Sequence, residues 1–220
     1  MNRTNGSYER FKLFGLQRTA TNLVWRGVTE NFEVESAEIG GEWKHGPIGR
    51  SAEAGCAIIV CTRHPLAWLD AMYRFSMEID DRDGCPHFRR SWTFEEFCCN
   101  PHYDWPNPVL RWNKVNRDYL YWLSRNPGQG FLVRSEDLLG INEQRKLFTE
   151  IGKIFNWKRR AATIQTFERR VLHWTEELGE VLDTDYYRSG RFGDKFTPTL
   201  RDSVIRSVDN GVVSDLRYVV

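Results

Sequence analysis

The segment Phe11-Lys12-Leu13-Phe14-Gly15-Leu16-Gln17-Arg18-Thr19-Ala20-Thr21-Asn22 changes character at its glycine. Before Gly15 the residues are apolar and β-prone, as in a short strand. From Leu16 to Asn22 the chain is polar and turn-like. Beyond it Leu23, Val24, Gly27, Val28 and Phe32 recur at spacings close to 3.6, which predicts a helix beginning near Thr19 to Asn22. The unit is strand, loop, helix.

Working outward, residues 33 to 55 are Gly-rich and polar with no clear period, and they lead to Ala57-Ile58-Ile59-Val60-Cys61. An unbroken apolar run of this kind suits a parallel strand covered on both faces. It ends at Thr62-Arg63-His64-Pro65, and a proline there fits the first turn of a helix whose buried face is Trp68, Met72, Phe75 and Ile79. A second strand, loop, helix unit results. Residues 80 to 108 hold charges, aromatics and prolines, with one short helix near Phe94 to Cys98, and read as a substrate-facing insertion or lid spanning about 76–106. An amphipathic helix follows, with Trp112, Val115, Tyr119 and Trp122 on one face and a stop at Asn126-Pro127-Gly128. Phe131-Leu132-Val133-Arg134 is the third strand.

From Asn142 the pattern is helical again, with Leu147, Ile151, Ile154 and Phe155 on one face and Ile164, Phe167 and Val171 on another. Tyr186 to Phe196 has little periodicity. Thr197-Pro198 supplies a cap and an N1 proline for a helix carrying Leu200, Val204 and Val208 to a stop at Asp209-Asn210-Gly211. Strands alternating with helices predict a single α/β domain over residues 1–220, three layers deep, with a central parallel sheet flanked by helices.

Composition narrows the function. Lys plus Arg number 31 against 30 Asp plus Glu, so a net charge of +1 gives no global attraction to nucleic acid or anionic membrane, and any anion site must be local. No run approaches the roughly 18 apolar residues of a membrane span, and the first residues lack the apolar core of a signal peptide; a cytoplasmic protein is expected. Five cysteines, Cys56, Cys61, Cys85, Cys98 and Cys99, have neither zinc-ligand nor disulfide-framework spacing, which predicts reduced thiols and no metal.

In an open parallel sheet, ligands sit beyond the carboxyl ends of the strands, where loops enter helix N-termini. The loop Gly15 to Asn22 offers backbone N–H groups at such a place, the physical requirement for holding a phosphate. It is similar to a Walker loop without the Gly-Lys-Ser/Thr ending.

Three motifs in chain order resemble those of the sulfotransferases that use 3′-phosphoadenosine 5′-phosphosulfate (PAPS). Arg18-Thr19-Ala20-Thr21-Asn22 resembles the family's 5′-phosphosulfate loop, in which Lys or Arg, Ser, Gly, Thr, Thr follow a strand. Thr62-Arg63-His64-Pro65 resembles the 3′-phosphate motif, a strand closed by Arg-Asn/Asp-Pro. Arg188-Ser189-Gly190-Arg191-Phe192-Gly193-Asp194-Lys195-Phe196 looks like the signature Arg-Lys-Gly-x-x-Gly-Asp-Trp-Lys. Leu132 to Leu138 and Leu216-Arg217-Tyr218 are fainter echoes. The likeness fails over residues 76 to 106 and is thin over 141 to 184. It also departs at single positions: Ala71 stands for a phosphate-binding serine, Leu23 for an adenine-stacking tryptophan, Ser135 for a tyrosine and Ala20 for glycine.

The resemblance implies a P-loop-like sulfotransferase fold, and an enzyme that moves a sulfuryl group from PAPS to a hydroxyl or amine of a glycan, lipid or small molecule, releasing PAP without a metal. It implies that Gln17, Arg18, Thr19, Ala20, Thr21 and Asn22 hold the 5′ end and Arg63, Arg188, Ser189 and Gly190 the 3′-phosphate. Arg18 would neutralise the leaving group, since a guanidinium keeps its charge at neutral pH. His45 is the expected general base, with Lys44 a candidate contact to the sulfate and Glu42 the reserve base. Arg89 and Arg90 are candidates for an anionic acceptor or a solvated pair, and His64, His87, His102 and His173 for capping, packing or surface roles. A kinase-like ATP-dependent transferase and a non-catalytic nucleotide-binding module share the same first loop and sheet.

Overall fold

In the computed structural model, residues 8–37, 44–46, 48, 55–78, 91–171, 178–181 and 183–220 are described. A four-stranded sheet is built from β1 (Arg10–Gly15), β2 (Glu35–Ser36), β3 (Cys56–Thr62) and β4 (Gly130–Arg134), in the spatial order β2-β1-β3-β4 with every pairing parallel. Each residue of β3 is buried, as its unbroken apolar run requires of a central strand.

Because side chains alternate across a strand, the sheet carries two cores. Phe14, Ile58 and Val60 face one, and Phe11, Leu13, Ala57, Ile59, Cys61 and Val133 face the other. Helices α1 (Thr21–Asn31) and α5 (Ile141–Ile154) cover the second core through Val24, Val28, Phe148 and Ile151. The first is covered by α2 (Pro65–Glu78), α3 (Phe94–Cys99), α4 (Pro108–Arg125), α7 (Pro198–Ser207) and α8 (Asn210–Asp215). The protein is a three-layer α/β fold, as expected. Between α5 and α7 in chain order lie an antiparallel hairpin, β5 (Arg169–Val171) and β6 (Leu178–Val181), and the one-turn helix α6 (Thr184–Arg188).

Helix starts follow local chemistry. Thr93 and Glu96 form a reciprocal capping box at α3, Asn107 caps α4 ahead of Pro108, and Thr197 caps α7 ahead of Pro198. Asp209, expected within a stop, instead begins a new helix: its carboxylate accepts from Val212 N at 3.1 Å and opens α8.

The helix expected through Ile164, Phe167 and Val171 does not form. Ile164 and Phe167 are buried, but their segment has no helical turn, and its backbone bonds are taken by two buried amide side chains. Asn31 of α1 donates to Gln165 O and accepts from Gln165 N, at 3.0 and 2.7 Å. Gln144 of α5 does the same for Phe167, at 2.8 Å each way. A residue pair that mimics a strand neighbour removes the incentive for a helical turn. Ile154 is 45% exposed rather than buried, because α5 ends there and Phe155 turns into the core against Trp157, ring centroids 4.9 Å apart.

Cys56, Cys61 and Cys98 are buried and free, while Cys99 is exposed. Among the described residues no helix is long and apolar enough to cross a membrane. Of the expected insertion, residues 79–90, with Ile79, Cys85, His87, Arg89 and Arg90, lie outside the described residues. Its later part joins the core through Phe94, Phe97 and Cys98.

Gly27 is where α1 meets α5, and a Cβ there would overlap the Phe148 ring. Gly27→Ala gains about 1 kcal/mol of helix propensity, but a ring buried in the second core cannot move aside without strain of about 1–3 kcal/mol. Chemical denaturation is expected to show a net loss of stability with an unchanged slope.

Candidate functional site

β1 passes through α1 to β2 on one side of the sheet, while β3 passes through α2, α3 and α4 to β4 on the other. The chain therefore leaves the two central strands in opposite directions. Beyond their carboxyl ends lies the topological switch point, where open α/β sheets bind ligands. The loops at that point are the two singled out from sequence, one holding Gln17 to Asn22 and the other Arg63.

The first loop is closely fitted to the strands below it. A Cβ on Gly15 would stand 2.6 Å from Thr19 Oγ1 and 2.7 Å from Cys61 O, so glycine is needed for this approach. Arg18 and Ala20 are left-handed, with φ of 66° and 63°, a backbone type from which amide concavities for anions are made. At the N-cap of α1, Ala20 has no side chain to accept from the first turn. Thr19 Oγ1 instead tightens the loop by donating to Leu16 O at 2.7 Å.

Gln17 is committed beneath the loop. Its carbonyl accepts from Trp68 Nε1 at 2.8 Å; its side chain donates to Tyr103 Oη and accepts from Arg111, both at 2.9 Å. Arg111 is only 2% exposed and lies 4.2 Å from the Tyr103 ring. What Gln17 offers a ligand is thus backbone. Arg18 runs to α2, where it pairs with Glu78 at 2.8 Å and lies over Phe75 at 4.7 Å. Leu23, the counterpart of a stacking residue, is buried in the second core.

Lys44 and His45 hang on the end of β1. Gly15 N donates to Lys44 O at 2.9 Å, and His45 Nδ1 lies 2.6 Å from Gly15 O. A carbonyl can only accept, so Nδ1 carries the hydrogen and Nε2 the lone pair. Burial, helped by the Lys44 and Arg111 charges, lowers the His45 pKa to about 4 in spite of that hydrogen bond. Lys44 Nζ reaches Asn22 Oδ1 at 3.1 Å, and burial lowers its pKa to about 8. Glu42 lies outside the described residues.

Arg63 and the 188–190 segment meet at a tyrosine. The Arg63 guanidinium lies 4.8 Å over the Tyr187 ring, while Arg188, the next residue, pairs with Glu143 at the start of α5 at 3.2 Å. Ser189 Oγ donates to Asp185 O at 2.6 Å, and Gly190, with φ of 73°, turns the chain into a 3-10 turn over Arg191–Lys195. Phe196 anchors that turn in the first core, edge-on to Phe94 at 4.8 Å.

A cluster on α2 completes the arrangement, and the sequence reading did not include it. Asp70 is fully buried, with Arg74 Nη2 at 2.9 Å and Lys195 Nζ at 2.7 Å. Arg74 also donates to Tyr187 Oη. The available signal was Asp70 and Arg74 four residues apart, opposite in charge, on a helix apolar through its first turns. Trp68, Arg74 and Glu78 make α2 a beam between the first loop and Tyr187.

Glu136 and Asp137 have structural roles. Glu136 accepts from His64 N at 3.0 Å and Tyr218 Oη at 3.0 Å, and Asp137 orients Arg134 at 2.7 Å. His64 does not cap α2 with its ring; its Nε2 meets Val219 O at 2.8 Å. His102 is packed beside Trp68, Phe97 and Tyr103, and His173 lies outside the described residues.

No protein-family model matches the chain, and no curated protein matches it in sequence.

His45 provides a direct check. Its pKa falls from the ordinary 6.5 to about 4, so between those values the unfolded chain binds a proton that the fold refuses. Its neutral form contributes stability above pH 6.5 that is lost as the pH falls toward 4. The ring should titrate near 4 by NMR, and His45→Gln should flatten the pH dependence of stability between 6.5 and 4 relative to the parent.

Proposed function

We propose that the protein is a PAPS-dependent sulfotransferase acting on a hydroxyl or amine acceptor. The observation that carries the reading is the placing of two anion-suited loops, Gln17–Asn22 and Arg63–His64, on the two sides of one switch point, with the 188–190 segment joined to the second through Tyr187. A nucleotide with phosphate groups at both ends of its ribose fits that spacing of function.

PAPS, when bound, supplies the sulfuryl group and departs as PAP. The residues of the chain have separable tasks in this reading. The amides of the 18–22 loop and the N-terminal end of α1 hold the anionic 5′ end. Arg18 and Lys44 neutralise charge that builds on the leaving oxygen, and such fixed charges in a water-poor site are the largest single source of rate. His45, held with its hydrogen on Nδ1, takes the acceptor's proton at Nε2 as the new oxygen-to-sulfur or nitrogen-to-sulfur bond forms. Arg63 and the 188–190 segment hold the 3′ end, fixing the geometry of attack. A cytoplasmic location belongs to the same reading.

PAP added to the protein should raise its melting temperature by mass action, and Mg-ATP should not. Labelled PAPS with a panel of phenols, glycans and lipids should yield PAP. A wild-type chain that does not bind PAP overturns the proposal; stabilisation by Mg-ATP alone points to the kinase-like transferase, and PAP binding without transfer to the non-catalytic module.

With an active acceptor in hand, His45→Ala should reduce turnover roughly 10²–10⁴-fold and Arg18→Ala roughly 10²–10³-fold. The kcat/KM profile of the parent should be flat between about 4, where His45 takes a proton, and about 8, where Lys44 loses one.

A further inference from the structure

The cations around Tyr187 exceed what holds that part of the fold together. Arg63 lies 4.8 Å over the phenol ring, Arg74 donates to its hydroxyl, and Arg74 shares the buried Asp70 carboxylate with Lys195. Arg188 and Arg191 have carboxylates of their own, Glu143 and Asp183. Among the described residues, three cations thus face one carboxylate at the phenol, a surplus of two positive charges.

Hydrogen-bonding capacity is also in surplus there. Arg74 Nε is a buried donor with no acceptor among the described residues. Lys195 Nζ lies 2.7 Å from Asp70 Oδ1, and an ammonium carries three donors, more than that one oxygen takes. A half-buried guanidinium that keeps a buried, free N–H is poised for an anion with several acceptor oxygens.

Tyr187 itself carries the mark of such a place. Burial would raise its pKa, yet the Arg63 and Arg74 guanidiniums together outweigh burial and bring it below the ordinary tyrosine value. Its oxygen is where the two guanidiniums favour negative charge.

We propose that Arg74, with Arg63 and Lys195, forms the site that reads a phosphate monoester dianion on the bound nucleotide, the Tyr187 hydroxyl standing where one phosphate oxygen binds. The inference rests on the nucleotide reading above and adds to it the group that decides selectivity. A surplus of two charges matches the dianion of a monoester, which carries a charge of roughly −1.5 to −2 at neutral pH. Asp70, fully buried, acts as a positioning residue that fixes the Arg74 fork.

The test is calorimetric binding of two probes to the full chain, adenosine 3′,5′-bisphosphate and adenosine 5′-monophosphate. The parent should prefer the bisphosphate. Arg74→Met should weaken the bisphosphate roughly 10–100-fold, the worth of a charged hydrogen bond, and leave the monophosphate within about twofold, so that the preference collapses. Tyr187→Phe, which removes the standing-in oxygen but no cation, should keep the preference. Arg74→Lys, with one charge and no fork, should give an intermediate value and serves if the methionine variant does not fold. The preference should also decline below about pH 6 as the monoester takes up a proton. A parent that binds neither probe overturns the nucleotide reading itself. A parent that prefers the bisphosphate and an Arg74 variant with the same preference overturn only the role given to Arg74. Equal loss of both probes in the Arg74 and Tyr187 variants overturns it too, because a purely structural contact predicts that result.

Discussion

The close approach of β1 to β3 at their carboxyl ends is the constraint from which the rest of the site follows. Six consecutive residue pairs lock the two strands in parallel, and the last sets Gly15 opposite Cys61. With no side chain at Gly15, Thr19 can fold back over the strand end, and the loop is compressed into left-handed turns at Arg18 and Ala20. The same glycine uses both its backbone groups to hold residues 44 and 45, its N–H on Lys44 O and its carbonyl on His45 Nδ1. One register therefore positions the loop, the lysine and the histidine together. A slip of one residue would turn every alternating side chain of β1 to the opposite core.

Helix α2 couples this centre to the tyrosine cluster. Trp68 Nε1 fixes the underside of the first loop, Glu78 meets Arg18, and between them Asp70 and Arg74 face the turn that carries Tyr187 and Lys195. The spacing 70, 74, 78 puts these side chains on one stripe of the helix, away from the apolar stripe through Trp68 and Met72. Arg74 and Lys195 are held on the buried Asp70 carboxylate, so their orientation is fixed before any ligand arrives. Such preorganisation lowers the cost of binding an anion.

Much of this architecture is legible in the sequence because its signals are local. The apolar run of β3, the 3.6-residue spacing of α1 and α4, and the Thr197-Pro198 start of α7 each depend on residues within a few positions. Elements fixed by distant partners are not legible in this way. The irregular chain at Ile164 to Phe167 has a helical spacing, and its backbone is bonded instead by Asn31 and Gln144, far away in sequence. β2 is two residues long and polar, and nothing but the edge of β1 defines it. At the site, the loops were visible as motifs, whereas Arg74 carries no motif. Its importance comes from a buried carboxylate four residues before it and a tyrosine more than a hundred residues later.

The ion pairs of the site differ in a way that bears on how it works. Arg18–Glu78 and Arg188–Glu143 are partly exposed, and pairs of that kind contribute only about 0–1 kcal/mol. An incoming anion can take either arginine from its carboxylate at little cost. Asp70 is different, because a carboxylate removed from water and gripped by Arg74 and Lys195 cannot lose both partners without a large desolvation penalty. The exposed carboxylates can be exchanged for a ligand, while the buried one stays and keeps its cations in place. Helix α2 carries one member of each kind of pair, Glu78 and Asp70, within three turns.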